Sequence, residues 1–224
     1  MPTSYRRNYR RRNRGRRYYR RKYQKSRGYI YGKAANQLYR DVMSLKEKIN
    51  VEYKVADRFP SGAITSTGTL FTVNGLQLGD DITNRDGRQV RWVSMQSSLV
   101  ATWDPALAAP VVLRCMFIID TQPSGTAPGL SAILDSVDVV SFRNLANRKR
   151  FVCLKDFSLT LSADYPEKVF KMYKKLNMKT VFNSGNTGTI TDISSNSLYL
   201  LMVSNTSTNA PGASWRIRLR FIDN

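Results

Sequence analysis

Trp215-Arg216-Ile217-Arg218-Leu219-Arg220-Phe221 decides the fold class of this 224-residue chain. Apolar residues take every odd position and arginines every even one. A period of two marks a β-strand with one face buried and the other in water, because successive side chains point to opposite sides of the backbone. Working back from that strand, residues 198–203 (Leu-Tyr-Leu-Leu-Met-Val) form an unbroken apolar run of core-strand length. In residues 169–182, Phe170, Met172, Leu176, Met178 and Phe182 share one parity, while Lys171, Lys175 and Lys179 share the other. The first half of that segment is also compatible with a helix.

The same grammar continues toward the amino terminus. Phe151, Cys153, Phe157, Leu159 and Leu161 share a parity within residues 151–161, and residues 111–119 form a nearly continuous apolar strand. Between them, a loop over residues 121–129 holds Pro123, Gly125, Pro128 and Gly129, and residues 130–137 read as a helical turn in a long connection. Residues 89–103 predict a long strand with Val93, Met95, Leu99, Ala101 and Trp103 on one side. A Thr-rich strand over 65–73 runs into Asn74-Gly75, a turn signal, and residues 84–87 make another turn. In residues 51–59, Val51, Tyr53 and Val55 alternate with Glu52, Lys54 and Ala56. Eight or so strands with long, turn-rich connections predict an all-β sandwich, with a single eight-stranded jelly roll as the favoured topology.

Ahead of the strands, Leu38, Val42, Leu45 and Ile49 recur at spacings of four, three and four, so residues 34–49 predict one short amphipathic helix. Its apolar side suits packing on its own body and contact with other copies equally. Residues 1–33 are of a different kind. They carry Arg6, Arg7, Arg10, Arg11, Arg12, Arg14, Arg16, Arg17, Arg20, Arg21, Arg27, Lys22, Lys25 and Lys33, and no acid precedes Asp41. Of the chain's 36 basic residues, 14 therefore fall here, leaving 22 against 16 acids elsewhere, so most of the formal +20 lies in one seventh of the length. Such a segment repels itself and lacks the apolar surface to offset ordering entropy, so a disordered arm is expected. The expected organisation is an arm over 1–33, the helix over 34–49 and one β domain over 50–224.

A polyanion is the natural partner of that arm, because each cation that neutralises a phosphate releases condensed counterions. Seven tyrosines, Tyr18 and Tyr19 among them, are threaded through it. Aromatic rings among guanidinium groups favour single strands, whose unstacked bases offer faces for stacking. The listed arginines together with Lys22, Lys25, Tyr18 and Tyr19 are the candidate nucleic-acid-binding residues. The rival reading of a basic tail is a nuclear-import signal or a membrane-surface anchor. Import is compatible with nucleic-acid binding, whereas an anchor lacks an amphipathic apolar face and position 2 is Pro rather than the Gly that myristoylation needs. On the terminal strand, Arg216, Arg218 and Arg220 suit either a nucleic-acid-facing surface or a face whose arginines pair with carboxylates on a neighbour. The same holds for Lys171, Lys174, Lys175 and Lys179.

Other functions are argued against by what the chain contains. No apolar stretch approaches the roughly 18–20 residues of a membrane span, and the basic amino terminus lacks the apolar region of a secretory signal, so the cytosol or nucleus is the expected folding compartment. Cys115 and Cys153 have no Cys or His neighbour at zinc spacing and read as buried free thiols. Asn205-Thr206-Ser207 is a lone sequon of little weight without secretion. Histidine is absent, which removes the usual general base near neutral pH. No Walker loop, nucleophile elbow, Ser-x-x-Lys set or dinucleotide fingerprint occurs, and Ser184-Gly185-Asn186-Thr187-Gly188 reads as a turn. Neither an enzyme, a cofactor nor a metal is expected.

An Arg/Tyr arm leading through a short helix into such a sandwich resembles the capsid proteins of small circular single-stranded DNA viruses, the circovirus-like group, and the body looks even more like the satellite tobacco necrosis virus coat protein. Lys46-Glu47-Lys48 running into Val51-Glu52-Tyr53-Lys54, residues 62–71, Gly79-Asp80-Asp81 and residues 84–91 carry the likeness. So do residues 148–156 and the closing residues 216–223. The resemblance implies a structural protein: one jelly roll, sixty copies of which close a small icosahedral (T=1) shell with the arms inside around a single-stranded genome. The long arm favours DNA over RNA, and the resemblance places the protein in the virion and, during assembly, in the host nucleus through the import machinery. The satellite relative also binds calcium between subunits, but Asp80, Asp81, Asp192 and Asp223 show no ligand spacing and are read as structural. The alternative is a cellular nucleic-acid-binding protein with a basic tail that forms no shells.

Overall fold

Strand pairing in the body follows a nested order. The computed structural model describes residue 32, residues 34–45 and residues 53–223, and the chain divides into two units, residues 1–51 and 52–224. In the second unit the strands are β1 (Tyr53–Arg58), β2 (Ser61–Ala63), β3 (Thr69–Thr72), β4 (Gln89–Thr102), β5 (Val111–Asp120), β6 (Phe151–Leu161), β7 (Glu167–Phe182), β8 (Ile193–Ser195), β9 (Ser197–Ser204) and β10 (Gly212–Asp223). The first major strand pairs with the last, β3 with β9, β4 with β7 and β5 with β6, all antiparallel. A chain folded back on itself in this way is one long two-stranded ribbon. Wrapping it side by side, through β10 with β4 and β9 with β5, gives two sheets, β1-β10-β4-β7-β8 and β3-β9-β5-β6, which is the jelly roll. The expected fold class holds.

In the first unit, the described helical residues 34–45 (α1) expose Leu38, Val42 and Leu45. Gln37 donates to Asp41 one turn on, at 3.0 Å. The remainder of the helix expected to reach Ile49, and the arm apart from Gly32, lie outside the described residues.

Between the sheets lies the core. Trp92, Met95 and Leu99 of β4 and Trp215, Ile217, Leu219 and Phe221 of β10 meet Leu113, Cys115 and Phe117 of β5 and Leu198, Leu200 and Met202 of β9. Phe117 stands edge-on to Trp215, with ring centroids 5.4 Å apart. The other face of β5 and β9 is also covered: Met116, Ile118, Leu201 and Val203 pack beneath Ile133 and Leu134 of the long β5–β6 connection. Burial on both faces explains why these two strands read as continuous apolar runs instead of alternating. Within that connection, α2 (Leu130–Ile133) is a single turn, shorter than the helical turn expected over 130–137.

Several expectations need correction. The segment 169–182 is strand throughout, within the 16-residue β7. Val93 does not face the core: opposite β10 it is the extra residue of a β-bulge, where pairing passes from Arg220 with Ser94 to Phe221 with Trp92. One extra residue flips the strand's facing, so Val90 and Trp92 point inward on one side of it and Met95, Leu99 and Ala101 on the other. A second shift in β6, between its pairings to Phe117 and Ile118, sends Leu154, Phe157 and Leu159 to the main core and Phe151 and Cys153 to the outer cluster. In β1 the inward side chains are Lys54 and Ala56, while Tyr53 is exposed. Lys54 runs its aliphatic stem inward and brings Nζ to Asp86 at 2.7 Å and Asp223 at 3.9 Å. The Thr-rich strand is confined to Thr69–Thr72. Cys115 is buried as expected, but Cys153 is only half-buried; burial pushes both thiols up and keeps them protonated.

Candidate nucleic-acid interface

The candidate residues of the arm, Arg6 through Arg27 with Tyr18 and Tyr19, lie outside the described residues. What the structure places is the second group of cations. Alternation in β10 sends Trp215, Ile217, Leu219 and Phe221 into the core and Arg216, Arg218 and Arg220 out. In β7 it sends Lys171, Tyr173, Lys175 and Lys179 out on the same sheet.

Register through β4 sets the two groups in parallel rows. Ser98 lies opposite both Arg216 and Lys171, Gln96 opposite Arg218 and Tyr173, and Ser94 opposite Arg220 and Lys175. Two inter-strand spacings separate the rows, about 9–10 Å. Between the rows β4 contributes only uncharged polar side chains, short at Ser94 and Ser98 with the longer Gln96 between them, so the sheet carries a polar trough edged by cations. Beside the β10 row a hollow of 290 Å³ is lined by Asp57, Phe59, Gln96, Ser98, Arg216 and Arg218. Tyr173 and Phe59, both exposed, put aromatic faces at the rim.

The rows are not uniformly free. Arg218 grips Asp57 of β1 through both nitrogens, Nε to Oδ1 at 2.8 Å and a terminal nitrogen to Oδ2 at 2.7 Å. The bond to Arg218 holds the Asp57 carboxyl below the usual carboxylate range. The carboxylate partner expected on a neighbour is thus supplied, for this arginine, by the chain's own next strand. Arg216 lies over the Phe59 ring, 5.4 Å from its centroid. Parity in the sequence found the two rows; register, which aligns them and brings in Tyr173 and Phe59, was not readable from it. Lys174 is exposed but belongs to the opposite parity.

Acidic groups serve the fold. Asp192 accepts from the Gly188 N–H at 2.8 Å and from the Thr187 hydroxyl at 3.0 Å. Asp223 accepts from the Asp86 and Gly87 N–H groups. Among the described residues no group of three or more His, Cys, Asp or Glu side chains is placed to hold a metal ion. No helix among them is long and apolar enough to cross a membrane.

Residues 31–223 match the family model of the satellite tobacco necrosis virus coat protein. The chain belongs to that family. The coat protein of maize white line mosaic satellite virus is 27% identical over 179 residues, covering 78% of this chain and 82% of the relative. The capsid protein of satellite tobacco necrosis virus 1 is 33% identical over 125 residues, covering 53% of this chain and 62% of the relative. Among solved structures, a chain of desmodium yellow mottle tymovirus aligns over 77% of this chain and 88% of its own, at 10% identity and a TM-score of 0.36, too loose to add to the strand order. This member of the satellite tobacco necrosis virus coat protein family is a viral coat protein, a structural component of a virion and not an enzyme. Like its relatives it is a shell-forming homo-oligomer.

Proposed function

We propose that this coat protein closes a small icosahedral T=1 shell of sixty copies and packages a single-stranded genome through the arm of residues 1–33, with residues 34–49 as a helix leading from the arm and residues 50–224 as the capsid domain. The observation that carries the reading is the concentration of +14 in the arm of a chain that belongs to a coat-protein family. Sixty arms supply roughly 840 positive charges and sixty whole chains roughly 1,200, enough to neutralise on the order of a thousand phosphates. Arg6, Arg7, Arg10, Arg11, Arg12, Arg14, Arg16, Arg17, Arg20, Arg21, Arg27, Lys22 and Lys25 neutralise, while Tyr18 and Tyr19 stack on bases. The cation-edged trough of the sheet supports this reading, since it offers the same polyanion a fixed surface on the body.

DNA is the genome favoured by the arm, whose Arg/Tyr pattern resembles that of the circovirus-like group. The same arm would then serve host nuclear import. RNA is the second reading, favoured by the match of residues 31–223 to the satellite tobacco necrosis virus coat protein family rather than to the circovirus-like group. Electron microscopy of the purified protein tests the shell, with closed particles expected and persistent monomers across salt and nucleic-acid conditions counting against it. Nucleic acid released from particles is expected to be degraded by deoxyribonuclease, and destruction by ribonuclease alone establishes the RNA reading instead.

A further inference from the structure

The β5–β6 connection exposes apolar side chains that nothing in the capsid domain needs to expose. Val140, Phe142 and Leu145 are 77%, 80% and 75% exposed. Beside them lies a hollow of 780 Å³, floored by Ile118, Ile133, Phe151 and Cys153 and walled by Phe142 and Leu145 themselves. Exposed apolar clusters of this kind mark contact surfaces, since scattered single residues would be unremarkable.

The segment is held, not frayed. Arg114, fixed by Asp156 at 3.0 and 2.7 Å, donates to the Ser141 carbonyl at 2.6 Å. The Asp135 N–H donates to the Phe142 carbonyl at 3.0 Å, and the Asn144 N–H to the Ile133 carbonyl at 2.8 Å. Asn147 Nδ2 reaches the Ala132 carbonyl at 2.9 Å. Phe142 is therefore presented on a fixed backbone, which lowers the ordering cost of docking it.

The patch also carries both signs of charge in one place. Asp135 and Arg143 line the hollow, Arg148 stands at its edge, and Asp138 is exposed beside Val140. Knob, hole, acid and base on one surface make it complementary to itself. That is the requirement of a two-fold contact, in which each copy offers the other the same patch. We infer that the β5–β6 connection is a two-fold contact between copies of this chain, with Phe142 of each copy seated in the hollow of the other. The inference takes its partner from the capsid reading.

Phe142→Asp tests it, with Leu145→Asp as a second variant at a separate side chain. Both positions are exposed, so both variants are expected to keep the wild-type thermal transition while losing closed particles in electron microscopy. In sedimentation velocity the Phe142→Asp protein is expected as monomer at concentrations where the wild type associates. Wild-type yields of particles from both variants overturn the inference. If the wild type forms no shells but sediments as a dimer that Phe142→Asp converts to monomer, the capsid reading falls and the contact stands. If shells form and the variants unfold several degrees lower, the positions are structural and the contact falls.

Discussion

Asp120, at the end of β5, is fully buried, and its charge is met from one direction. Arg150 donates Nε to Oδ1 and a terminal nitrogen to Oδ2, both at 2.8 Å, and the Gln122 N–H adds a bond at 3.0 Å. Removing the arginine leaves a buried carboxylate without its counter-charge, so Arg150→Ala is expected to cost about 3 kcal/mol of unfolding free energy. Urea denaturation of unassembled protein checks this. Adding Asp120→Asn should recover part of the loss, and a loss below about 1 kcal/mol would mean that water replaces the pair. Asp192 gives a pH test. Burial alone would raise its carboxyl, but the Gly188 N–H, Thr187 and the charge of Arg85 together hold it below the usual carboxylate range. A folded value below the unfolded one stabilises above the unfolded value, about 3.9, and that stabilisation fades as pH falls through the folded value. Wild-type melting temperature should therefore drop more steeply than that of Asp192→Asn on acidification below about pH 5.

Elements are where the sequence was most readable and where its failures have a common cause. Alternation in β10 and β7 located both strands and their outward cations, because each stays on one face of one sheet. β5 and β9 were found as continuous apolar runs for the opposite reason, being covered on both sides. The misplacements at Val93 and at Phe151 and Cys153 arise at register shifts, which depend on how many residues the partner strand offers and leave no mark in the strand's own periodicity. Asn74-Gly75 read as a turn, but Asn74 is a buried tie: its Oδ1 accepts from the Leu198 N–H at 2.7 Å and its Nδ2 donates to Thr180 at 3.0 Å. Those partners lie more than a hundred residues away, beyond any local pattern. Gly75 shows the consequence, since a Cβ there would collide with the backbone carbonyl of Gly188, itself at φ +69°. Backbone cannot yield as a side-chain tip does, so Gly75→Ala is expected to destabilise by about 2 kcal/mol. A Tm unchanged to within a degree would show that the two connections separate without cost.

At the scale of the whole molecule, charge divides the labour. The arm holds +14 of the formal +20, which leaves the rest of the chain with +6. That remainder includes the two basic rows, and Asp57 already neutralises Arg218 within them. Deleting residues 1–33 should therefore leave a folded jelly roll, and the proposed sixty-copy shell would then carry roughly 360 positive charges instead of roughly 1,200. Packaged nucleic acid, read from the ratio of absorbance at 260 and 280 nm of purified particles, is expected to fall at least in that proportion. Binding by the full chain should weaken steeply with salt, by about 0.7 log units per log unit of salt for each single-strand phosphate neutralised, and the truncated chain should show a much shallower slope. Equal packaging by the two proteins would move the packaging role from the arm to the sheet. An intermediate content that falls further on Arg216→Ala, Arg220→Ala and Lys175→Ala in the truncated chain would assign the residue of packaging to the trough.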